Sequence, residues 1–155
     1  MTNRHNVLGC AFLVLSILVM TGCASGPPKP SNVKLTLRAA ADVNPDGNGR
    51  PSPVVVRIYQ LKTDTAFVKA EFFALYDDEK KALGEDLLTK SNEFTLGPGD
   101  SSPAPISVAP DAKFIGVIAA YRDYRNSQWL VVTKAPLKKN TTVSVGRSRL
   151  ELVVK

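Results

Sequence analysis

Cysteine and histidine, the side chains that most often serve as nucleophile, general base and zinc ligand, are scarce in this chain, and they are unevenly placed. The two cysteines and the single histidine are Cys10, Cys23 and His5, so all three lie at the N-terminal end. Cys23 is the one whose setting points to chemistry. Arg4 supplies a positive start, and Val7 to Met20 is an uncharged, mostly apolar run of 14 residues. Such a run matches the core of a secretory leader and falls short of the roughly 20 residues that a membrane-spanning helix needs. Thr21 and Gly22 then lead into Cys23. Small residues there let a chain lie extended in a peptidase groove, and the cysteine after the cut offers a thiol for acylation.

Met20-Thr21-Gly22-Cys23 resembles the bacterial lipobox, which makes residues 1–22 a removable lipoprotein signal and Cys23 the lipid-attachment site. Cleavage there also removes Cys10 and His5, leaving one cysteine and no histidine. Ser-His-Asp, Cys-His and zinc arrangements are thereby excluded, and so is an internal disulfide, so stability has to come from a packed core. Residues 23–31 continue as a lipidated N-terminus and polar, proline-rich tether, and 32–155 form one domain of ordinary size. Several acyl chains, at about 0.8 kcal/mol per buried methylene, make a durable anchor. Ala24 follows the cysteine where an aspartate would resemble inner-membrane retention. The expected location is the outer membrane, with the domain in the periplasm.

The remaining candidates for chemistry are weak. Asp77, Asp78 and Glu79 are adjacent in sequence, which spreads them around a turn rather than converging them on a substrate. Asp42-Val43-Asn44-Pro45-Asp46-Gly47-Asn48-Gly49 has the oxygen-rich look of a calcium loop, but it lacks the closing glutamate and Pro45 breaks the spacing. No glycine loop with a following lysine cradles a phosphate. No cofactor or metal is expected, and no catalysis. The formal charge of +6 does not imply nucleic acid, because the basic residues are interspersed along strands rather than gathered with exposed aromatics. They are segregated, however: Lys62 to Asp100 is mainly acidic and Lys113 to Lys155 mainly basic.

The apolar periodicity supplies the elements that must position any site. Val33 to Ala39 alternates as a half-buried strand, and Pro53 to Leu61 is β-branched enough for a central one. The connection between them, Ala41 to Ser52, holds Asn-Pro, Asp-Gly and Asn-Gly turn formers and is long for a two-strand connection. Thr63-Asp64-Thr65 offers caps for one helix through Ala66 to Tyr76, with Phe67, Ala70 and Ala74 on one face flanked by Phe73. Leu83 to Leu88 reads as a second short helix, weakened by Gly84. Glu93 to Leu96, Ile106 to Val108 (a brief strand after a serine- and proline-rich loop), Phe114 to Tyr121, Trp129 to Thr133, Thr141 to Val145 and Arg149 to Val154 read as strands. Phe114 to Tyr121 is apolar on both faces and belongs at the centre. Apolar parity flips across Gly146, which implies a bulge or bend. Trp129, Tyr121 and Tyr124 read as core or core edge. Seven or eight short strands with a helical insertion make a mainly β, two-sheet sandwich.

Taken in order, the lipobox, "VRIYQL" (Val56 to Leu61), "FFALY" (Phe72 to Tyr76), Leu96-Gly97-Pro98-Gly99 and "IGVIAAYRD" (Ile115 to Asp123) resemble the TssJ family, outer-membrane lipoproteins of type VI secretion systems. The resemblance implies a transthyretin-like β-sandwich with a short helical insertion. It also implies a non-enzymatic anchor that binds the periplasmic C-terminal domain of TssM, within a membrane complex that includes TssL. The family's contact loop follows the first strand, which here gives Asp42, Asn44, Pro45, Asp46, Gly47, Asn48, Gly49 and Arg50. Pro45, Pro51 and Pro53 limit that loop's disorder and so lower the ordering cost of binding. The isolated soluble domain is expected to be monomeric. Two alternatives stay open: a pilotin or chaperone for another outer-membrane protein, which needs an exposed apolar groove, and a small-ligand carrier or hydrolase on the same scaffold.

Overall fold

The computed structural model describes residues 29–91, 93–137 and 141–154. The segment 1–22, expected as a lipoprotein signal, and Cys23 lie outside the described residues. The described residues build nine strands and three short α-helices: β1 (Ser31–Ala39), β2 (Val54–Leu61), α1 (Thr65–Lys69), α2 (Phe72–Asp77), α3 (Glu79–Leu83), β3 (Leu87–Lys90), β4 (Phe94–Leu96), β5 (Ser101–Val108), β6 (Phe114–Ala119), β7 (Leu130–Lys134), β8 (Thr141–Val145) and β9 (Leu150–Val154). One sheet has the order β5-β1-β8-β9. The other runs β3-β2-β6-β7, with β4 also paired to β2. All pairings are antiparallel except β1 with β8.

The period-two pattern explains how the sheets meet. Val33, Leu35 and Leu37 of β1, with Val143 and Val145 of β8, face Val54, Val56 and Ile58 of β2 and Ile115 and Val117 of β6. The opposite faces of β2 and β6 are apolar as well, because a third layer covers them. Tyr59, Leu61 and Ile118 pack under Phe67, Leu75 and Leu83 of the helices. Each fully buried large side chain contributes roughly 1.5–3 kcal/mol. The central run Phe114 to Tyr121 is therefore apolar on both sides because it is covered on both sides. Gln60 ties the sheets at one edge: its amide donates to the Ser107 carbonyl and accepts from the Ala109 N–H, both at 2.8 Å.

Three expectations change in detail. The single helix through Ala66 to Tyr76 is two helices, broken where Ala70 is extended (ψ 142). The break lets both Phe67 and Phe72 turn inward, and it leaves Phe73 and Ala74 exposed rather than on the packed face. The segment Leu83 to Leu88 is helical only in part: α3 ends at Leu83, capped by Gly84 at a φ of +52 that only glycine adopts readily, one 3-10 turn follows over Gly84–Asp86, and Leu87 turns into β3. The serine- and proline-rich stretch before Ile106 is strand, not loop. Pro103 and Pro105 are tolerated because β5 is an edge strand, where a missing N–H costs no ladder bond. The parity flip at Gly146, expected as a bulge or a bend, is the bend of the β8–β9 hairpin, since Val145 pairs directly with Leu150.

Candidate functional site

Three connections meet at the end of the sandwich opposite to where β1 begins: the β1–β2 loop, the β6–β7 segment Ala120 to Trp129, and the β8–β9 turn. The turn Gly97 to Asp100 supports them from beneath, with the Gly99 N–H on the Ala40 carbonyl at 3.1 Å.

The β1–β2 loop is ordered from within. Val43 is fully buried, and the Ser52 N–H bonds its carbonyl at 3.0 Å, closing the loop neck. Asn44 is 3 % exposed, at φ +48, a left-handed conformation that asparagine tolerates better than most residues. Its side-chain amide donates to the Pro53 carbonyl (2.6 Å) and its oxygen accepts the Arg122 N–H (2.7 Å). Its own N–H donates to the Arg147 carbonyl at 3.0 Å. One buried asparagine thus pins together the loop, the β6–β7 segment and the β8–β9 turn.

Asp46 organises the tip. One carboxylate oxygen accepts the N–H groups of Asn48 (2.9 Å) and Arg50 (3.0 Å), and the other accepts from the Arg50 guanidinium (2.8 Å). The Arg50 N–H and side chain, with the Asn48 N–H and the nearby Arg122 charge assisting, hold its carboxyl below the usual aspartate range. Gly49, at φ +79, completes the turn. Beyond this frame, Asp42, Gly47, Asn48, Gly49 and Arg50 are exposed, and Pro45 is half-buried. The eight loop residues named from sequence are contiguous in space but do two jobs. Asn44 and Asp46 shape the loop, while the exposed residues present it.

An open groove of about 710 Å³ lies beside the loop, lined by Asn44 to Gly47, Tyr121 to Asp123, Asn126, Ser127, Arg147 and Ser148. Its far wall is as well fixed as the loop. Asp123 accepts from the Asn126 amide at 2.9 Å, and the Ser127 hydroxyl donates to the Asp123 carbonyl at 2.6 Å. The Tyr121 hydroxyl donates to the Gly146 carbonyl at 3.1 Å, and burial raises its pKa far above the ordinary tyrosine value. Gln128 bridges to Arg149 through backbone and side chain. Arg147 has only a loose pairing with Asp42, at 3.8 Å.

Sequence reading missed Arg122, Asp123, Asn126, Ser127, Arg147 and Ser148 as groove residues. A polar run directly after the apolar β6 was the available signal, but nothing local says that it faces the β1–β2 loop. Next to this wall, Phe72 stacks on Tyr76 and Tyr124 and meets Trp129 edge-on, with centroids 5.0–5.4 Å apart. This cluster roots the β6–β7 segment on the helical layer. Arg57, buried on the same sheet face, lies 3.9 Å from the Tyr76 ring centre and bonds Glu93. Among the described residues, no three His, Cys, Asp or Glu side chains form a metal-holding group.

The comparisons agree with this architecture. The chain is similar to the T6SS lipoprotein TssJ1 from Pseudomonas aeruginosa, at 33% identity and TM-score 0.75, covering 81% of this chain and 97% of that one. It is similar to Serratia marcescens Lip, a membrane-bound component of the type VI secretion system, at 30% identity and TM-score 0.74, covering 81% and 98%. A third similar chain belongs to a structure described as the T6SS protein TssM C-terminal domain from EAEC, at 29% identity and TM-score 0.68, covering 80% and 98%. No match was found among curated proteins. The family profile described as type VI secretion lipoprotein (VasD, EvfM, TssJ) matches residues 31–150, and the chain belongs to that family.

Proposed function

We propose that this chain is a non-enzymatic anchor of the type VI membrane complex, held in the outer membrane by acyl chains on Cys23 and binding the C-terminal domain of TssM from the periplasmic side. TssL belongs to the same complex in this reading, and the isolated domain is a monomer. The binding surface is the exposed tip of the β1–β2 loop, Gly47 to Arg50, together with the groove walled by Arg122 and Arg147.

The observation that carries the assignment is the preordering of that surface. A loop already held by Asn44 and Asp46 loses little conformational freedom when a partner docks, so more of the contact energy appears as affinity. The similarity to a chain in a structure described by a TssM domain supports the choice of partner. A pilotin or chaperone role is less well served. Such a role needs an apolar trough for an unfolded segment, whereas this groove is lined by Asp46, Arg122, Asp123 and Asn126, which suits the polar rim of a folded partner.

The test is calorimetry of the detergent-solubilised lipoprotein with the TssM C-terminal domain. Arg122→Glu with Arg147→Glu changes exposed charges and leaves the Asn44 bonds to backbone intact. Affinity should fall at least about tenfold, or roughly 1.4 kcal/mol. Unchanged affinity would place the contact elsewhere.

A further inference from the structure

The end of the sandwich where β1 begins is the end from which the chain leaves toward Cys23, and its surface differs from that of the groove end. We propose that this end is a phospholipid-contact surface. It would rest on anionic head groups and hold the domain upright, with the β1–β2 loop pointing away from the membrane. The inference depends on the Cys23 anchor and adds an orientation to it.

The first observation is where the chain leaves the fold. Lys29 and Ser31 flank a shallow depression whose other walls are Val108, Ala109, Pro110, Ala112, Ala135 and Pro136. From Cys23 to Lys29 there are six peptide links, which span at most about 22 Å. An acylated Cys23 therefore keeps Lys29 within that distance of the head groups, and with it the depression that Lys29 flanks. β1 has nine residues, so at roughly 3.3 Å per residue the loop end lies about 27 Å from the end where the chain leaves.

The second observation is chemical. The rim of the depression is apolar and carries exposed prolines, and Lys29, Lys113 and Lys134 are exposed around it. Lys113 and Lys134 belong to one end by direct bonding: the Ala135 N–H donates to the Lys113 carbonyl at 2.8 Å. None of the three lysines forms an ion pair among the described residues. Asp111 is the carboxylate on the same β5–β6 turn, while Asp64 and Asp86 lie toward the helical side. Unpaired lysines on long apolar stems around a shallow apolar patch suit an interface where phosphate and glycerol layers meet.

The experiment uses the full lipidated protein reconstituted in vesicles whose lipids carry a head-group quencher. The vesicles contain either anionic phosphatidylglycerol or only zwitterionic phosphatidylcholine. A fluorophore is placed at Pro110→Cys or, at the opposite end, at Asn48→Cys. Mass spectrometry first establishes the acyl mass on Cys23. In anionic vesicles, quenching at position 110 should exceed that at 48 severalfold. It should drop at least about threefold in zwitterionic vesicles, in high salt, or with Lys29→Gln, Lys113→Gln and Lys134→Gln combined. Equal quenching at both positions would overturn the orientation. Strong quenching at 110 that ignores lipid charge and all three substitutions would show a short leash without head-group contact, which also overturns the proposal. A Cys23 without acyl mass sinks the anchor itself, so the two failures are told apart. An unchanged thermal transition for the triple variant guards against misfolding.

Discussion

Gly116 lies directly against the ring of Phe67: a β-carbon on the glycine would stand 2.5 Å from two of the ring carbons. That contact locks the helical layer to the sheet, because Phe67 is fully buried and its ring sits 5.4 Å from that of Tyr59. The glycine in "IGVIAAY" is a space requirement set by a residue almost fifty positions earlier. Gly116→Ala should destabilise the domain by about 2–3 kcal/mol, as overpacking of a filled core does. Urea unfolding measures it, and Gly116→Ala combined with Phe67→Leu should recover part of the loss, since the two sites share one space. A single alanine variant as stable as the parent would show that the ring shifts freely.

The strands were legible where one face is buried. The alternation in Val33 to Ala39 and the double-sided apolar run at Phe114 to Tyr121 both follow from period two and burial. The missed elements owe their state to distant partners. Leu87 to Lys90 is a strand because Tyr59 to Leu61 offers it a ladder, and its own two leucines suit a helix equally well. The helix break at Ala70 lets Phe67 reach the sheet while Phe72 packs on Tyr124 and Trp129 of the β6–β7 segment. At the candidate site, the β1–β2 loop was visible through its turn residues, but its opposite wall was not, because the proximity of Asn44 to Arg122 spans 78 positions.

Asn44 reads in the sequence as half of an Asn-Pro turn, yet it is the pin of the site. Asn44→Ala loses both side-chain bonds, leaves the Arg122 N–H and the Pro53 carbonyl short of a partner, and strains a positive φ, for a combined cost of about 3 kcal/mol. Asn44→Gly loses the bonds but relieves the backbone, and should be about 1 kcal/mol milder. Thermal melts rank the two, and amide exchange at Arg122 should quicken in both. Equal stability of the alanine and glycine variants would remove backbone strain from the account. For the same reason, binding experiments should alter Asn48 or the groove arginines and leave Asn44 in place, so that affinity is not confused with folding.

The tip should be sensitive to acid. Asp46 is held below its ordinary value of 3.8, chiefly by the Arg50 N–H and guanidinium. A carboxyl whose folded pKa is depressed contributes its full stabilisation above the unfolded value and loses it as pH falls through the folded one. The Asn48 and Arg50 amide resonances should therefore hold steady from neutral pH to about pH 4 and move only below it. Asp46→Asn should show the acid-form shifts already at neutral pH, with an almost unchanged melting temperature because the site is exposed. Amides that titrate above the ordinary aspartate value would contradict the hydrogen-bonded carboxylate.

Cys23 carries a prediction that separates attachment from folding. Among the described residues the core is built without it: β1 begins at Ser31, and every buried hydrophobic side chain lies at or beyond Val33. In the proposed anchor, several acyl chains at about 0.8 kcal/mol per buried methylene would dominate membrane residence, far above what lysines at the tether end add. Cys23→Ser should therefore melt like the parent yet move from the membrane to the soluble periplasmic fraction. Fractionation should be done in cells lacking TssM, because a bound partner would retain the unacylated chain. A variant that stays in the membrane under those conditions would mean that some surface of the domain holds lipid by itself, and the anchor argument would fail.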